Sequence, residues 1–191
     1  MDISHFTKAK LFAVSCVVLI SACKGPEDTA PDSTAPAATT PAAPAKDPNA
    51  ISQAIPAEAY KVTLTLFGEP VLAENGKSIV YQVEVKNEGS APVYGVGSKA
   101  VNIGLMVLGD DGTAKGNGGE RDFSRAPLPL IAPGQSALVA VVLPADARLD
   151  GRVVRLATVQ EGVAWHENTG TIDLGPFKLA GKTFVGLPLS Q

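Results

Sequence analysis

Hydrophobic and polar positions divide this chain into three regimes. Leu11 to Ile20 is an apolar run without a charge, and it follows the cations Lys8 and Lys10. From Lys24 to about Pro56 large apolar residues are absent until Ile51, and Ala, Pro and Thr dominate. From Tyr60 onward apolar residues return at every second position. Val62, Leu64 and Leu66 alternate with Thr63 and Thr65, and Ile79, Tyr81, Val83 and Val85 alternate with Gln82, Glu84 and Lys86. A period of two places alternate side chains on opposite faces of a strand.

The same pattern predicts strands at Val101 to Val107, Ala137 to Leu143, Arg152 to Gln160 and Thr171 to Leu174. Turn signals punctuate them: Asn87-Glu88-Gly89-Ser90, Asp110-Asp111-Gly112, Ala132-Pro133-Gly134-Gln135, and a corner from Pro144 to Gly151. Six or seven short strands over about 120 residues, with no helical periodicity, predict an all-β fold. The expected architecture is an immunoglobulin-like antiparallel β-sandwich of about seven strands, spanning residues 57–180 and followed by a tail, 181–191.

The stretch before it reads as a tether. Residues 23–56 hold too little apolar surface to offset the entropy of ordering them, so disorder is expected. Prolines favour extended polyproline II, which over some 30 residues reaches roughly 90 Å. A helical turn near Ala50 to Tyr60 would be interrupted by Pro56.

Residues 1–22 combine a basic start with an apolar run too short to cross a bilayer, the pattern of a secretory signal peptide. Leu19-Ile20-Ser21-Ala22-Cys23 resembles the lipobox of bacterial lipoproteins. That resemblance implies a diacylglyceryl group and further acyl chains (palmitate among them) on Cys23, which becomes the mature N-terminus. Lys24, rather than Asp, at the next position implies sorting to the outer membrane, with the domain in the periplasm or at the cell surface. Each buried lipid methylene contributes about 0.8 kcal/mol, so several chains anchor firmly.

Composition narrows the chemistry. The chain has 191 residues and a formal charge of −3. Loss of residues 1–22 would remove Lys8, Lys10 and Asp2, leaving 14 basic against 18 acidic residues, a net −4. That charge gives no footprint for nucleic acid. Cys16 falls in the signal and Cys23 is the lipid site, so the domain keeps no thiol for a disulfide or a zinc site. His166 is the single histidine after residue 22, and no G-x-S-x-G elbow accompanies it. No cofactor, metal or catalytic residue is expected, and the chain reads as a non-enzyme.

Several short motifs fail on context. Gly76-Lys77-Ser78 and Gly181-Lys182-Thr183 lack the earlier glycine of a phosphate loop, since Val71 and Pro176 stand there. Gly95-Val96-Gly97 runs into a strand pattern rather than a helix, so a dinucleotide would meet no helix N-terminus. Asp110-Asp111-Gly112 reads as a turn, not a calcium loop, and Lys115-Gly116-Asn117-Gly118-Gly119 as a loop tip. Glu120, Arg121, Asp122 and Arg125 read as a solvated charged loop, with a partner-binding edge as the alternative.

A second resemblance rests on Leu128-Pro129-Leu130-Ile131-Ala132-Pro133-Gly134, a strand, and then Val159-Gln160-Glu161-Gly162-Val163-Ala164-Trp165. This order is similar to the glycan-recognising C-terminal domain of O-antigen exporter ATPases, over roughly residues 78–175. It implies the same sandwich and, at one remove, glycan recognition. His166 departs from it, standing where an aromatic, usually Phe, is expected.

The candidate ligand-binding residues are Trp165, His166, Arg121 and Tyr94. Trp165, the one tryptophan, either packs at the end of the sandwich or offers its face to a pyranose. His166 should point to the opposite face and could supply a hydrogen bond. The expected function is an interaction or structural accessory module of the cell envelope, with an envelope protein as partner. Carbohydrate binding is the alternative, and an enzyme-inhibitor-like module a third reading.

Overall fold

In the computed structural model, residues 46–187 are described. The expected signal segment (1–22), the expected lipid site Cys23 and most of the expected tether (23–56) lie outside them. No helix among the described residues is long and apolar enough to cross a membrane.

The strands are β1 (Val62–Leu66), β2 (Val71–Leu72), β3 (Ser78–Asn87), β4 (Val101–Val107), β5 (Glu120–Pro127) and β6 (Ser136–Pro144). They continue as β7 (Val154–Gln160), β8 (Ala164–His166), β9 (Ile172–Leu174), β10 (Leu179–Ala180) and β11 (Thr183–Phe184). In the first sheet β3 is central, with β1 and β2 along one side and β6 along the other. The second runs β5-β4-β7, with β8 and β9 sharing the far side of β7. A small hairpin joins β10 to β11. All these pairings are antiparallel. This is the strand distribution of an immunoglobulin-like sandwich.

Period two puts Ile79, Tyr81, Val83 and Val85 of β3 against Ile103, Leu105, Val154 and Leu156 of the other sheet in one buried core. At about 25 cal/mol per Å² of apolar area, this burial is the main stabilising term. Asn87 ends β3 fully buried yet fully bonded: its amide donates to Ala91 O and Ile131 O and accepts from Gly89 N. The corner after β6 closes on a 3-10 turn, Ala147–Leu149, capped by Asp146, whose side chain accepts from Arg148 N.

Among the described residues, eleven strands replace the expected seven or so. Five were not foreseen; four of these have only two or three residues, and the fifth is β5. The charged stretch Glu120 to Arg125 is therefore not a loop but an edge strand on β4. A bulge between Leu105 and Val107 breaks its period, and its outward positions are charged, which hides a strand whose Phe123 and Ala126 face the core.

Ordered backbone also reaches further back than the composition at 23–56 suggests. Ile51 N–H donates to Val96 O, and Lys99 N–H donates to Ile51 O. A methyl group on Gly97, whose φ is +114°, would fall 2.2 Å from Ile51 O, so this approach depends on glycine. At the other end Phe184 of β11 is buried and belongs to the core.

Candidate functional site

The four candidate residues do not form one site. Trp165 and Arg121 share the outer face of the second sheet. His166 turns inward, and the Tyr94 hydroxyl donates 2.9 Å to Asp47 Oδ2 on the docked N-terminal stretch. That carboxylate raises the Tyr94 pKa.

Trp165 sits in β8 opposite Val159 of β7. Its ring reaches across β7 to β4 and lies over Gly104, where a Cβ would fall 2.4 Å from both Cη2 and Cζ3. Met106, Ala114 and Ala157 form a small second cluster against which the indole packs. From β5, the residue opposite Gly104 is Arg125. Its guanidinium stands 4.4 Å from the ring centroid, and that of Arg121 stands 5.8 Å away. The indole is half-buried, between a small-residue floor and cationic neighbours.

Those cations are already paired. Arg125 Nε donates to Glu161 Oε1 at 3.0 Å, and its Nη2 pairs with Asp122. Arg121 pairs with Glu167, and Asn102 Nδ2 donates to Glu161 Oε1 at 2.8 Å. Two buried polar atoms beside this network are left over, the acceptor Asn102 Oδ1 and the donor Arg121 Nε.

His166 lies opposite Thr158 and stacks on Tyr60, with ring centroids 3.7 Å apart and planes 13° apart. It occupies the place expected of an aromatic. Its Nε2 is buried without a hydrogen-bond partner, and desolvation lowers its pKa. Burial pushes the Tyr60 hydroxyl up to about 12, partly opposed by the nearby Thr158 side chain. Neither of those oxygens makes a well-formed hydrogen bond. The group is apolar packing with stranded polar atoms, not a proton-transfer pair.

The motif Gln160-Glu161-Gly162-Val163-Ala164-Trp165 thus has structural work at each chemically distinctive position. Gln160 is buried; its Oε1 accepts from Ile55 N and its Nε2 donates to Gln53 O and Lys99 O. Glu161 holds Arg125 and Asn102, and Trp165 covers Gly104. Among the described residues, no group of three His, Cys, Asp or Glu side chains is placed to hold a metal.

A surface not anticipated from the sequence lies on the outer face of the first sheet. Cross-strand register aligns Val71, Val80 and Val142 in one row and Thr65, Glu84 and Leu138 in another. Phe67, whose N–H donates to Gln82 O, lies between these rows with Gln82 and Ala140. Phe67, Val71, Leu138 and Val142 are each more than half exposed. The signal was present in Ala137 to Leu143, which is apolar on both faces. In an antiparallel sheet with one solvated face, such a strand breaks the usual alternation.

No protein-family model matches the chain, and no curated protein matches it. Among solved structures the chain is similar to β-glucosidase 3B from Thermotoga neapolitana, determined in complex with α-D-glucose. The identity is 15% and the TM-score 0.33, over 61% of this chain and 16% of the other. A likeness this remote carries no argument about activity.

Proposed function

We propose that the chain is a non-catalytic interaction module of the cell envelope, anchored to the outer membrane through lipid on Cys23. Its docking surface is the outer face of the first sheet. The observation that carries this reading is the exposed apolar group Phe67, Val71, Leu138 and Val142 in one cross-strand array. Contiguous apolar surface on a soluble domain marks a place where a partner excludes water. The partner is an envelope protein, and an enzyme blocked by such a module is one form it takes.

A second reading, carbohydrate binding around Trp165, is favoured by the unpartnered Asn102 Oδ1 and Arg121 Nε. Both atoms are buried, so a sugar hydroxyl reaches them only where the Arg121–Glu167 pair moves aside, and it then donates to the first and accepts from the second. The Arg125 guanidinium over the indole opposes it, since a stacked sugar competes for that ring.

Capture of envelope fractions by the full chain separates the two. Val142→Arg abolishes capture in the first reading and Trp165→Ala leaves it intact. Loss on Trp165→Ala alone, with glycan in the captured material, supports the second.

A further inference from the structure

The two long strands at sheet edges are defended differently. Natural sheets blunt their edges with charge, proline and bulges. β5 carries Glu120, Arg121, Asp122 and Arg125, ends at Pro127 and itself bulges between Glu120 and Ser124. β6 runs Ser136-Ala137-Leu138-Val139-Ala140-Val141-Val142-Leu143-Pro144 without a charge, and among the described residues it pairs only with β3. Pro144, at its very end, is its one guard.

The direction of its free backbone groups follows from the ladder. Asn87 N–H donates to Gln135 O and Ala145 N–H donates to Lys77 O, bracketing an unbroken register. Antiparallel pairs alternate between bonded and non-bonded. The backbone groups of Ala137, Val139, Val141 and Leu143 therefore face β3, and those of Ser136, Leu138, Ala140 and Val142 face the open side. The same even-numbered residues are the ones whose side chains are exposed.

We propose that β6 pairs edge to edge with β6 of a second copy of this chain, antiparallel and centred on Ala140. The partner deepens the surface named above and rests on that reading. Self-complementarity argues for a second copy. About Ala140, Leu138 falls opposite Val142 and Ser136 opposite Pro144, so each outward N–H meets a carbonyl. The missing donor of Pro144 falls at the end of the paired stretch, where it costs least. Charge agrees as well. In β3, Glu84 lies beside Leu138 and Lys86 beside Ser136, so across the axis they line up with Val80 and Ser78 of the other copy. No like charges meet.

The register gives the test. In this pairing the two Ala140 Cα atoms are about 5.5 Å apart. The two Leu138 Cα atoms, offset by four residues, are about 14 Å apart. The full chain with Ala140→Cys or Leu138→Cys is treated with a short bifunctional thiol reagent, and position-140-to-140 linkage is read by peptide mass against the unsubstituted chain. Ala140→Cys should yield about tenfold more linked dimer than Leu138→Cys, a ratio set by those two separations. Equal yields, or no dimer from Ala140→Cys, overturn the pairing. If Ala140→Cys stays monomeric while Val142→Arg still abolishes envelope capture, self-pairing falls and the docking face stands. If dimer forms but Val142→Arg leaves capture unchanged, the pairing stands and the docking role falls.

Discussion

The Trp165 indole lies so close over Gly104 that a single methyl group there would come within 2.4 Å of two ring carbons. The glycine is selected by the ring, against the ordinary preference of a strand interior for a side chain. Gly104→Ala should lower stability by about 1–3 kcal/mol through overpacking. With one tryptophan in the chain, its emission should shift to the red as the indole is displaced. Unchanged emission and melting would mean that the ring does not rest there.

The buried Gln160 amide ties residues 53 and 55 to the domain. A chain beginning at Ala57 removes two of that amide's three partners and leaves Lys99 O, at a cost of about 1–3 kcal/mol for each lost partner. Its Tm should fall several degrees below that of a chain beginning at Lys46. Gln160→Met should cost less in the shorter chain than in the longer, because truncation has already removed the bonds to Gln53 and Ile55 and leaves only the one to Lys99 O to lose. Additive losses in thermal melts would contradict this coupling.

These two relationships mark where sequence reasoning stopped. The alternation in β3 and β4 and the run in β7 named the strands and the core, because burial on one face writes itself as period two. β5 escaped because its arginines serve as packing for Trp165 on the outside while a bulge breaks the count. Residues 47–55 escaped because backbone bonds and one glutamine hold them, and only Ile51 and Ile55 are large and apolar. Trp165 and His166 were assigned correctly to opposite faces. Which face was covered depended on Gly104 and Tyr60, distant in sequence.

His166 sets an acid limit on stability. Its pKa lies below the ordinary value of about 6.5 because burial disfavours the imidazolium. Below about pH 6.5 the unfolded chain takes up a proton that the folded chain resists, so stability falls as pH drops through that window and is retained above it. His166→Phe keeps the stack on Tyr60 and removes the unpartnered Nε2. It should raise stability by about 1 kcal/mol at pH 7.5. The gap over the parent should widen towards pH 5. A gap that narrows in denaturant titrations across this range would sink the assignment.

Lipidation has its own test at the opposite end of the chain. Cys23→Ser should abolish labelling by a fatty-acid analogue and block signal cleavage, while leaving the melting of the domain unchanged. Continued acylation and membrane retention of Cys23→Ser would remove the anchor from the account.

The central claim is that the domain works through the first sheet's outer face rather than through the indole. A photo-crosslinking residue placed in living cells at Val142, against one at the exposed Val163 in the β7–β8 turn next to Trp165, tests it directly. Discrete protein adducts from position 142, with none from position 163, are the predicted result. Adducts confined to position 163, or glycan-bearing adducts there and silence at 142, would contradict it.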